Sequence, residues 1–143
     1  MKIKRVEHIA IAVRNIDDMM KMFQEKFGLE LEYTEEINQT KLAMYPVGET
    51  YVELLQGKTS STRTAQWIEK KGQGIFHICF EVDDIRAALA ELKAKNMKIM
   101  NDEPITGHAN SLIAFVDPES TGDILIELVE LSKTNSGHAA PAA

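Results

Sequence analysis

The chain says nearly the same thing twice. Val6-Glu-His-Ile-Ala-Ile-Ala-Val13 leads into Arg14-Asn15-Ile16-Asp17, and Ile75-Phe-His-Ile-Cys-Phe-Glu-Val82 leads into Asp83-Asp84-Ile85-Arg86. His8 maps onto His77 at an offset of 69 residues. In that register Val13 falls on Val82, Asn15 on Asp84, Ile16 on Ile85, Met20 on Leu89 and Phe23 on Leu92. One register spanning strand, cap and helix points to a single supersecondary unit used twice. The final strands match as well: Tyr51-Val-Glu-Leu-Leu55 corresponds to Leu125-Ile-Glu-Leu-Val129, with Glu53 on Glu127 at an offset of 74.

Each half opens with alternation that predicts a strand, Ile9, Ile11 and Val13 sharing one face, and Ile78, Phe80 and Val82 the other half's equivalent. A helix follows in each. Asn15 and Asp84 suit its N-cap, because a short side-chain oxygen can accept from the first-turn amides. Ile16, Met20, Phe23 and Phe27 form one apolar stripe, repeated by Ile85, Leu89 and Leu92. Gly28 and Asn96 are expected to end the two helices. Further strands are expected at 29–34, 41–46 and 50–55, with Val47-Gly48-Glu49 as a turn, and at 98–100, 112–116 and 124–131. Between the halves, 62–71 reads as a short helix stopped by Gly72 and Gly74. The expected fold is α+β: two βαβββ modules, about 4–56 and 75–131, forming a curved, partly closed mixed sheet around a metal site. Residues 1–131 are expected to form one domain, and the small, polar stretch 132–143 a disordered tail.

At 143 residues the chain can bury a core without staples. Its net charge of −6, with no basic run, argues against nucleic acid and anionic membranes as partners. Cys79 is the sole cysteine, and no leader-like or membrane-spanning apolar run is present, so a cytoplasmic protein is expected.

The faces not covered by helices carry the chemistry. His8 shares a strand face with Ala10 and Ala12, and His77 with Cys79, small neighbours that leave room. Glu53 and Glu127 sit mid-strand between apolar residues, where an unpaired carboxylate costs several kcal/mol and wants a cation or a proton. If the halves pack about a pseudo-twofold axis, two imidazoles and two carboxylates converge. That mixed set suits one divalent ion: Co, Zn, Mn, Ni or Fe. Other residues read more plainly. His108 belongs to an exposed loop, with substrate contact the sharper alternative, and His138 to the tail. Cys79 reads as buried packing, Trp67 as an anchor for the connecting helix, and Lys70-Lys71 as a solvated helix end.

Four stretches carry a family resemblance: His8-Ile-Ala-Ile-Ala-Val13, Pro46-Val-Gly-Glu-Thr-Tyr-Val-Glu-Leu-Leu55, Trp67 through Ile85, and Ser120-Thr-Gly-Asp-Ile-Leu-Ile-Glu-Leu128. Together they resemble the vicinal oxygen chelate (glyoxalase/bleomycin-resistance) superfamily, and within it the methylmalonyl-CoA epimerases. The resemblance implies a metal held by His8, Glu53, His77 and Glu127. Glu53 stands where some epimerases carry Gln, and the Glu form there resembles bacterial glyoxalase I. It also implies proton abstraction alpha to a thioester carbonyl of an acyl-CoA, with an acid/base position on the strand before Glu53 that falls near Lys41. A pseudo-twofold would set Glu127 and Glu53 across the site, which makes them the first and second acid/base candidates, with Lys41 third. A homodimer is expected, since an edge of such a sheet tends to be covered. The chain departs from the epimerase pattern at Phe76, Ser111, Asp117, Glu119 and Asp123. Two alternatives stand beside the epimerase: a glyoxalase I-like isomerase or lyase acting on a thiol adduct, and a non-catalytic ligand-binding protein of the same fold.

Overall fold

The computed structural model describes residues 1–133. Residues 134–143, with most of the expected tail and His138, lie outside the described residues. The elements are β1 (Arg5–Ala12), α1 (Ile16–Lys26), β2 (Tyr33–Ile37), β3 (Thr40–Val47), β4 (Thr50–Gly57), α2 (Arg63–Lys71), β5 (Gly74–Glu81), α3 (Ile85–Ala94), β6 (Ile105–Thr106), β7 (Leu112–Val116) and β8 (Ile126–Glu130). The strand order is β2-β3-β4-β1-β5-β8-β7-β6, an α+β arrangement with mixed pairing. Among the described residues no helix is long and apolar enough to cross a membrane.

The contacts divide the chain into two compact units: a first, His8–Phe76, and a second made of Met1–Glu7 with His77 onward. Each repeats the same pairing. In the first, β1 runs parallel to β4, β4 antiparallel to β3, and β3 antiparallel to β2. In the second, β5 runs parallel to β8, β8 antiparallel to β7, and β7 antiparallel to β6.

Both helices start where the sequence says. The Asn15 side chain accepts from the Asp18 amide, and the Asp84 side chain from the Ala87 amide. Gly28 and Asn96 adopt positive φ just past the two helix ends, which turns the chain out of each helix. In the first unit Ile16 and Phe23 join Val13, Ala43, Tyr45 and Leu54 in a core, with Phe23 edge-on to Tyr45. In the second unit Ile85, Ala88 and Leu89 pack with Val82, Ala114 and Leu128. Each such large apolar side chain contributes about 1.5–3 kcal/mol on burial. Phe27 leaves the expected stripe: the helix ends at Lys26, and Phe27 is 69% exposed at the C-cap. The connecting helix is capped by Thr62, whose oxygen also lies 1.8 Å from where a Cβ on Gly57 would sit, so glycine is required there.

A second cap was not foreseen. The Ile16 amide donates to Gln56 Oε1 at 2.8 Å, and the Ile85 amide to Glu130 Oε1 at 3.0 Å. Gln56 and Glu130 stand at the same distance past Glu53 and Glu127, so each closing strand tethers its own module's helix. Gln56→Ala is expected to lower unfolding stability by about 1 kcal/mol. Glu130→Ala should cost more, because its charge also faces a helix N-terminus. Denaturant midpoints of the two variants check the ranking.

Two expected strands change. Leu29 serves the helix exit: its amide donates back to the Phe23 carbonyl and its side chain packs on the first core, whereas the Glu32 amide already donates to the Met44 carbonyl just ahead of β2 at Tyr33. Residues 98–100 form no strand. Ile99 makes one isolated bridge to Val116, and the edge strand is the two-residue β6. The polar run Asn101-Asp-Glu103 and Pro104, which has no amide hydrogen to offer a ladder, interrupt the pairing. There the Asn101 side chain accepts from the Phe115 amide in place of a backbone partner.

Candidate metal centre

The register builds a pair of donors in each unit. In the first, Ala10 lies opposite Glu53 across the parallel β1–β4 ladder. His8 sits two residues before Ala10, so it shares that face with Glu53 on the diagonal. The result is His8 Nε2 at 3.3 Å from Glu53 Oε1, both side chains buried. In the second unit Cys79 lies opposite Glu127, and His77 sits two residues before Cys79. His77 Nε2 is likewise 3.3 Å from Glu127 Oε1, again buried. Two loci joined only by the repeat thus carry the same donor pair at the same separation.

That separation tests the fit to a metal. Donors bound at about 2.1 Å and adjacent in a tetrahedral or octahedral shell stand about 3.0–3.4 Å apart. Both pairs meet this span. The donor chemistry agrees: imidazole nitrogen with carboxylate oxygen, the set chosen by borderline and hard divalent ions. His8, His77 and Glu127 all offer buried ligand atoms.

The surroundings differ between the units. In the second, the Phe115 ring meets the His77 ring edge-on at 5.3 Å, and Phe115 lies opposite Glu127 in the β7–β8 ladder. It therefore packs against both donors. In the first, the residue opposite Glu53 is Met44, also fully buried. Apolar neighbours exclude water and lower the local dielectric, which strengthens any charge interaction made there.

Lys41 does not belong to this face. It pairs with Gln56 and Glu36, is exposed, and stands three residues from Met44, which places it on the helix side. The cause is the turn. Val47 pairs directly with Thr50, leaving a two-residue turn at Gly48-Glu49. A three-residue turn would put Lys41 on the Glu53 face; removing one residue reverses it.

The register supplies a carboxylate that the sequence reading missed. Glu35 pairs with Leu42, which pairs with Leu55, two residues from Glu53. Glu35 is therefore on the Glu53 side, and half-buried. The alternation of Tyr33, Glu35 and Ile37 was the available signal. His108 departs from expectation in the other direction: it is 5% exposed, a buried residue. Cys79 is fully buried, and Trp67 packs on Phe76 at 5.3 Å, as expected.

Comparisons with known proteins agree on one lineage. Residues 7–115 match the family model described as Glyoxalase/Bleomycin resistance protein/Dioxygenase superfamily. The mitochondrial methylmalonyl-CoA epimerase of Dictyostelium discoideum is 32% identical over 133 residues, 90% of this chain and 79% of that protein. The ethylmalonyl-CoA/methylmalonyl-CoA epimerase of Cereibacter sphaeroides is 29% identical over 133 residues, 90% of this chain and 99% of that protein. In structure, a variant of Streptomyces coelicolor methylmalonyl-CoA epimerase in complex with 2-nitronate-propionyl-CoA superposes with a TM-score of 0.89 at 27% identity, covering 92% of this chain and 97% of that one.

Proposed function

Because the chain belongs to the glyoxalase/bleomycin resistance protein/dioxygenase superfamily, we propose that it is a metal-dependent epimerase of a methylmalonyl-type acyl-CoA, with one divalent ion held by His8, Glu53, His77 and Glu127. The observation that carries this reading is the twofold occurrence of a buried His–Glu pair at 3.3 Å, at repeat-equivalent positions. The relatives named methylmalonyl-CoA epimerases supply the substrate class.

A divalent ion held there supplies positive charge where an enolate oxygen develops. The protein's own groups do the rest. Glu127 takes the proton alpha to the thioester carbonyl and becomes the carboxylic acid. Inversion requires a proton returned to the opposite face of the carbanion, so a second acid/base group is needed. Glu53, the repeat partner of Glu127, takes that part, and Glu35 is the other carboxylate on its face. Phe115 opposite Glu127, and Met44 opposite Glu53, each limit the access of water to the carboxylate of its own unit.

The test is proton NMR in deuterium oxide with Co(II)-loaded protein and racemic methylmalonyl-CoA, beside a His8→Ala control. Fast loss of the alpha-proton signal that disappears in the control is the expected result. No exchange with metal bound overturns the epimerase reading, and turnover of a hemithioacetal in its place would move the chemistry to a glyoxalase-like isomerisation.

A further inference from the structure

The second unit buries a polar chain that the proposed chemistry does not use. His108 Nε2 stands 2.9 Å from Glu7 Oε1, and His108 Nδ1 stands 3.1 Å from Ser111 Oγ. Arg5 approaches the other Glu7 oxygen at 3.9 Å and donates through Nε to Glu81 Oε1 at 2.6 Å. Glu7, His108 and Ser111 are all buried, with Glu7 at 1% exposure. An ionised carboxylate only accepts, so the His108 Nε2–H donates to it. Such a cluster costs several kcal/mol of desolvation unless its geometry is well kept, so it is held in one arrangement. The turn that carries His108 is itself strained, with Ala109 and Asn110 at φ 50° and 61°.

What this arrangement fixes is the residue before a proposed ligand. Glu7 immediately precedes His8, and the β1–β4 ladder begins at His8 itself. The backbone that enters that ladder is already extended from Arg5, and the buried Glu7 side chain adds an anchor at the step before His8. The repeat sharpens the point. At the equivalent place before His77 stands Phe76, gripped by the Trp67 ring. One histidine is preceded by an apolar anchor and the other by a buried ionic one.

We propose that the His108–Glu7 contact is a positioning device for His8, holding its imidazole in the orientation that binds the metal. The inference rests on the reading of His8 as a ligand. It gives His108 a part in metal affinity without any contact to metal or substrate.

The experiment is Co(II) titration of the full chain, read by visible absorption, with melting temperatures recorded in the presence and absence of Co(II). His108→Leu fills the volume and deletes the donor. It is expected to weaken Co(II) binding about tenfold or more, in the range seen when supporting partners of a ligand are removed. His108→Gln, whose amide can still donate to Glu7, should restore most of the loss. A merely structural role would lower the melting temperature with and without metal alike. The positioning role also shrinks the metal-induced rise. A folded His108→Leu protein that binds Co(II) as tightly as the wild type overturns the inference. Should that variant fail to fold, Glu7→Gln carries the test, and unchanged Co(II) affinity in it overturns the inference equally. A wild-type Co(II) spectrum indifferent to His8→Ala overturns the ligand reading and this inference with it, and that failure is read separately, on the control.

Discussion

Glu127→Gln is expected to slow alpha-proton exchange by about 10²–10⁴-fold, the usual contribution of a positioned acid/base group. The substitution keeps the shape of the side chain, so the packing with His77 and Phe115 survives. What it removes is the negative charge and the ability to take a proton. It also weakens one of the proposed ligands, so the rate is measured at saturating Co(II), with bound metal quantified in the same samples. Loss of exchange with metal retained assigns Glu127 as the base. Full turnover with metal retained removes it from that role and leaves Glu53 and Glu35 to be compared by the same substitution. Glu35→Gln separates those two further, because Glu35 is half-buried on the strand two removed from β4 and is not a proposed ligand.

Stripping the metal should have the other large effect. Glu53 and Glu127 are each 4% exposed, and each stands beside one imidazole. Without an ion the two buried carboxylates bear their desolvation without a full cationic charge among the proposed donors. A ligand present at about 1,000 times its Kd, bound to the native state alone, stabilises by about 4 kcal/mol. For a domain of this size that corresponds to a fall in melting temperature of roughly 10–20 °C on chelation. Scanning calorimetry with and without chelator, followed by Co(II) addition, checks both size and reversibility. Exchange activity should vanish and return in step. A melting temperature unmoved by chelation, in protein shown to have carried metal, would detach the ion from the folded state.

Much of this was legible in the sequence because the repeat supplied two independent readings of each element. Asn15 and Asp84 could be named as caps from either half, and His8 with Glu53 predicted the relation of His77 to Glu127. Strand periodicity puts each donor on its face, and the parallel β1–β4 and β5–β8 registers bring the two of each unit together. The failures share a different physics. Lys41 is named by resemblance to an acid/base position on the strand before Glu53, and the two-residue turn at Gly48-Glu49 sets it on the opposite face, because side-chain direction in a strand depends on parity. Residues 98–100 looked like a strand locally, and lost to Asn101-Asp-Glu103 and Pro104 beyond them. His108 reads as an exposed loop residue because its partner, Glu7, lies 101 positions away. No local pattern announces a contact of that range. The repeat, extended three residues past each Glu, also reaches the caps at Gln56 and Glu130.

The boundaries of the two units bear on how the protein breathes. The chain crosses from one unit to the other between Glu7 and His8, and again between Phe76 and His77. Both crossings fall directly before a proposed ligand. Native proteins open in cooperative pieces, and amide hydrogen exchange reports which piece opens first. Here the seams along which the first unit would peel away each end on a histidine. A histidine held by an ion cannot follow an opening of its own unit, and each unit carries one such proposed ligand. The metal-free protein should therefore exchange the amides of one unit ahead of the other, whereas the loaded protein should surrender them only when everything comes apart at once.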